Sequence, residues 1–91
     1  MDNEKFGKFI SEIRKERGMT QAELAERLNV TNKAVSKWER GVGFPDIKLL
    51  EPLAEALEVS IVEIMKSERI VLEPQKSYEA VDDALVNVID V

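Results

Sequence analysis

Apolar residues recur along the chain at helical spacing, in short blocks separated by turn residues. Phe6, Phe9, Ile10 and Ile13 fall at i, i+3, i+4 and i+7, which is one face of an amphipathic helix. Arg14, Lys15 and Arg17 place positive charge at its last turn, where the helix dipole favours cations, and Gly18 ends it. Thr20-Gln21-Ala22-Glu23 forms a capping box that predicts a second, short helix with Leu24, Ala25 and Leu28 inward and Asn29 just past its end. Thr31 is a good N-cap for a third helix over 32–40. Its Ala34, Val35 and Trp38 share one side, while Asn32, Lys33, Ser36, Lys37 and Arg40 share the other. Gly41 stops it, and residues 41–45 read as a loop.

Asp46 is positioned to cap a fourth helix whose apolar face is Leu50, Leu53, Ala54 and Leu57. Pro52 conflicts with an uninterrupted helix, because an interior proline costs ~3 kcal/mol. Either residues 46–50 form a separate first turn, or the helix is kinked there. Ser60-Ile61-Val62-Glu63 is a second capping box, opening a short fifth helix with Ile61, Ile64 and Met65 inward. Short joints between these helices predict a compact all-α domain over residues 1–66. Residues 67–76 read as a linker in which Ile70-Val71-Leu72 suits a short strand. Ser77 then caps a last helix with Tyr78, Val81, Leu85, Val88 and Ile89 on one stripe. That candidate interface needs a partner surface, either its own domain, a twin chain or another protein.

Ninety-one residues leave room for one small domain and no deep cleft between two. The chain has neither His nor Cys. This excludes disulfides, thiolate metal sites, a cysteine nucleophile and a Ser-His-Asp triad, so no enzyme, metal or cofactor is expected. Adjacent acids such as Asp82 and Asp83 do not converge on one cation. No apolar run is long enough for a membrane helix, and residues 1–5 carry no secretory h-region, so a cytoplasmic location is expected. The net charge of −5 argues by itself against a nucleic-acid partner. Its distribution changes that reading. Residues 14–40 hold seven basic and four acidic side chains, whereas residues 67–91 hold two basic and six acidic ones. With a Debye length of about 8 Å at physiological salt, a local positive face coexists with an acidic total.

A short helix, a tight turn and a helix with a polar outer face form the layout of a helix-turn-helix. The run Thr20 to Ala25, the segment Ala34-Val35-Ser36-Lys37-Trp38-Glu39-Arg40-Gly41, Pro45-Asp46 and Leu53 to Leu57 resemble the phage-repressor (XRE or Cro-like) helix-turn-helix family. The resemblance covers residues 5–66. It implies a five-helix, lambda-repressor-like DNA-binding domain followed by a C-terminal extension with a sixth helix. It also implies that Asn32, Lys33 and Ser36 read bases, with Lys37 one turn on and Ser36 open to phosphate instead. Gln21 would contact phosphate and buttress Asn32, Thr31 would offer its hydroxyl to the backbone, and Arg40 would reach a phosphate beyond. Arg14 and Glu39 occupy positions that pair between the first and third helices in this family. Independently of any relative, only small or polar outer residues let a helix enter a major groove ~12 Å wide. One departure is the loop 42–45, which carries no basic residue.

Taken together, these features point to a sequence-specific reader of double-stranded DNA. It is expected to be a bacterial or phage repressor associated with the nucleoid and to act as a homodimer at least on DNA. The alternative is an antitoxin-like or partner-controlled regulator whose acidic C-terminal segment binds a second protein.

Overall fold

The computed structural model describes residues 2–70. It contains α1 (Asn3–Glu16), α2 (Gln21–Leu28), α3 (Asn32–Glu39), α4 (Leu50–Leu57) and α5 (Ile61–Lys66), with one 3-10 turn at Ile47–Leu49. Among the described residues there is no strand, and the five-helix all-α fold is the one the sequence predicts. Val71, Leu72, the cap Ser77 and the stripe Tyr78, Val81, Leu85, Val88 and Ile89 lie outside the described residues.

Local chemistry explains most helix ends. The N–H of Glu23 donates to Thr20 Oγ1 at 3.0 Å, and the N–H of Thr20 donates to Glu23 Oε1 at 2.8 Å. Ser60 and Glu63 repeat this reciprocal pair at 3.0 and 2.9 Å. The N–H groups of Ser60 and Ile70 both donate to the Glu63 carboxylate, and they hold it below the usual carboxylate range. Asp2, which carries no signal in the periodicity, caps α1 by accepting from the N–H groups of Glu4 and Lys5. Asn29 adopts the left-handed conformation that its position past α2 predicts, at φ 59°.

Asp46 caps the 3-10 turn, by accepting from the N–H of Lys48, rather than α4 itself. The separate-turn alternative is therefore the one adopted. Pro52 sits in the first turn of α4, where backbone N–H groups have no acceptor within the helix, so its missing proton removes no bond. The third helix ends at Glu39, with Arg40 as its cap.

The core is one cluster, centred on Phe6, Ile10, Ile13, Leu24, Val35, Leu53, Leu57 and Ile64. α1 lies against α3, α4 and α5. Phe44, read from sequence only as a loop residue, packs its ring on Phe6 with centroids 4.6 Å apart. Two expectations for α5 are corrected. Ile61 is 38% and Met65 54% exposed, and only Ile64 is buried. A helix of six residues meets the body along one narrow line, which leaves the flanking positions outside it.

Residues 67–70, read as the start of a linker, lie on the helical body. Ser67 is buried, Lys5 bonds Glu68 at 2.8 Å, and Arg69 pairs with Glu16. Arg17 also has a structural role that its helix-end position only partly suggests. Its Nε donates to the carbonyl of Leu57 at 2.9 Å, and its Nη2 donates to that of Glu58 at 3.1 Å. This places a cation on the unpaired carbonyls that end α4, where Glu58 takes a left-handed φ of 60°. Arg17→Ala is expected to lower stability by about 1 kcal/mol, the net worth of such bonds at a half-open site. A thermal melt followed by circular dichroism checks this. An unchanged midpoint would remove Arg17 from the account.

Candidate nucleic-acid interface

The interface is set by how α2 and α3 are locked to the body. Leu24, Ala25 and Leu28 bury one face of α2. The chain then turns through Asn29, and the N–H of Val30 bonds back to the carbonyl of Ala25 at 3.0 Å. Thr31 caps α3, with the N–H of Ala34 donating to its Oγ1 at 3.1 Å. That bond uses an oxygen lone pair only, so the hydroxyl proton is still free to donate to a phosphate.

Val35 and Trp38 are buried and Ala34 is half-buried, which fixes the rotation of α3. Trp38 thus packs in the core. The opposite face carries Asn32, Lys33 and Lys37, all exposed, with Ser36 half-buried and Arg40 exposed one turn on. Among the described residues neither lysine is in an ion pair. Arg40 Nε leans back to Ser36 Oγ at 3.4 Å. A shallow groove separates Lys33 and Lys37 from the loop Val42–Phe44 and is floored by Ala34 and Trp38. The structure therefore brings Thr31, Asn32, Lys33, Ser36, Lys37 and Arg40 to one surface.

Behind that surface lies a buried polar network. Arg14 Nε donates to Glu39 Oε2 at 2.6 Å and its Nη2 donates to Oε1 at 3.1 Å. Arg14 Nη1 donates to the carbonyl of Met19 at 2.7 Å. The two side chains of the pair are 10% and 6% exposed. Gln21 joins them, its Nε2 donating to Glu39 Oε1 at 2.8 Å. The resemblance implies that Gln21 buttresses Asn32, whereas among the described residues its side chain bonds Glu39 instead.

One residue the periodicity missed governs the placement of α3. A Cβ on Gly7 would lie 2.3 Å from the carbonyl oxygen of Trp38 and 2.7 Å from that of Glu39. α1 can cross the end of α3 this closely only at a glycine. The available signal is that a glycine inside a helix costs ~1 kcal/mol against alanine, so an interior glycine points to close packing.

Among the described residues no group of acidic side chains could hold a metal, and no helix is long and apolar enough to cross a membrane.

A helix-turn-helix family model, HTH_3, matches residues 10–64. The HTH-type transcriptional activator BcrR of Enterococcus faecalis is 33% identical over 66 residues, covering 72% of this chain and 32% of that protein. The immunity repressor protein of Bacillus phage phi105 is 34% identical over 77 residues, covering 85% of this chain and 54% of that protein. The chain therefore spans about a third to a half of the length of these relatives. The crystal structure of the restriction-modification controller protein C.AhdI of Aeromonas hydrophila superposes with a TM-score of 0.65 at 30% identity. That match covers 69% of this chain and 96% of the other.

Proposed function

The chain belongs to the helix-turn-helix family HTH_3, and from that premise we propose that it is a sequence-specific double-stranded DNA-binding transcriptional repressor acting in the cytoplasm. One observation carries this reading. α3 turns Asn32, Lys33 and Lys37 outward while burying Val35 and Trp38. In the major groove, Asn32 suits the paired donor and acceptor of adenine, and Lys33 and Lys37 suit the acceptors O6 and N7 of guanine. Thr31, Arg40 and Gln21 hold phosphates and fix the register, which carries no sequence information itself. Repression is steric, by occupancy of an operator that polymerase needs. Two-fold operators present half-sites ~34 Å apart, so the protein binds as a homodimer. The stripe Tyr78, Val81, Leu85, Val88 and Ile89 supplies the interface to the twin chain.

Lys33→Ala and Lys37→Ala are each expected to weaken binding roughly tenfold, the lower part of the range for one base contact, and to relax base preference. Fluorescence anisotropy with a duplex from upstream of the protein's own gene, beside a scrambled duplex, measures both effects. Unchanged affinity in both variants would remove α3 as the recognition helix.

A further inference from the structure

We propose that Glu39 is a positioning residue for DNA contact, fixing through Gln21 the groups that the start of α2 offers to a phosphate. The inference rests on the reading of the chain as a DNA-binding domain.

The bond from Gln21 Nε2 to Glu39 Oε1 joins the first residue of α2 to the last residue of α3. Paired with Arg14, the Glu39 carboxylate offers only acceptors. The Gln21 amide therefore has one allowed orientation, since turning its oxygen toward Glu39 would set two acceptors against each other. The carboxylate cannot easily swing away. Arg14 grips both of its oxygens and is itself anchored on the carbonyl of Met19.

This leaves one N–H and the carbonyl oxygen of the Gln21 side chain for the outside. The main-chain N–H groups of Gln21 and Ala22 lie in the first turn of α2, where no helix carbonyl can accept from them. A phosphate approaching on the side of the free side-chain N–H would meet donors alone. Reversal would put the amide oxygen in place of that N–H, with one lone pair toward Glu39 and the other toward the anion. Glu39 thus shapes the contact without touching DNA.

A double-variant cycle separates this role from a general one in holding α3. The probe is a fluorescein-labelled duplex from upstream of the protein's own gene. The proteins are the full chain and its Gln21→Ala, Glu39→Gln and doubly substituted forms, each checked for folding by circular dichroism at the binding temperature. Each single change is expected to weaken binding roughly tenfold, as for losing a hydrogen bond to a charged group. The double variant is expected to bind like Gln21→Ala alone, because the two act as one unit. Equal losses from Glu39→Gln with and without Gln21 would overturn the proposal, as would wild-type affinity in Glu39→Gln.

A second measurement needs neither DNA nor a stable variant. Hydrogen exchange at the Gln21 side-chain amide of the wild-type protein is expected to be slower than in a free glutamine peptide. Exchange at the peptide rate would overturn the proposal. Wild-type protein that binds no duplex would instead overturn the DNA-binding reading, and this proposal with it.

Discussion

Gly7→Ala is expected to lower the melting midpoint by roughly 10–15 °C, although alanine favours an isolated helix. The added methyl would sit 2.3 Å from the Trp38 carbonyl oxygen and 2.9 Å from the carbonyl carbon of Glu39. Both obstacles are backbone, so no side chain can rotate aside and α1 must move off α3. Overpacking of this kind costs about 3 kcal/mol, and the gain in helix propensity returns about 1. A net loss of about 2 kcal/mol in a domain this small corresponds to the stated shift. Calorimetry or a circular-dichroism melt reads it directly. A midpoint equal to or above that of the wild type would show that α1 and α3 do not meet at Gly7.

Arg14→Met is expected to cost about 3–5 kcal/mol, enough to unfold much of the population at 37 °C. Methionine retains the volume but leaves Glu39 buried with only the Gln21 amide for company. It also frees the Met19 carbonyl, which Arg14 holds beside the cap of α2. The pair is not an efficient source of stability, because desolvating two charges offsets most of their attraction. Replacing both partners with apolar residues should therefore recover much of the loss. Urea titration of the single and double variants checks this. A small cost for Arg14→Met would mean that the pair is open to water.

Helix boundaries were legible where the controlling chemistry is local. Thr20 with Glu23, and Ser60 with Glu63, act across three residues, and the apolar face of α1 is a simple repeat. The same locality misplaced Asp46, because an N-cap looks alike before a 3-10 turn and before an α-helix. Apolar character does not say which side of a helix has a neighbour, so the pattern points Ile61 and Met65 inward although both are exposed. Gly7 and Arg17 act on groups 31 to 41 residues away, and nothing beside them in sequence marks those partners. At the interface, the outward set on α3 follows from the inward pull of Val35 and Trp38. The pairing of Arg14 with Glu39 came only from the family resemblance, and the bond from Gln21 to Glu39 had no signal at all.

An acidic chain here carries a sequence-reading basic face. A salt titration of anisotropy with wild-type protein, on the duplex from upstream of its own gene and on a scrambled one, tests this directly. Submicromolar binding with a clear preference for the upstream duplex is expected. Log K is also expected to fall linearly with log salt, with a slope of about −1 per protomer if Arg40 neutralises one phosphate. Absence of binding to either duplex at low salt, or equal and salt-independent binding to both, would contradict it.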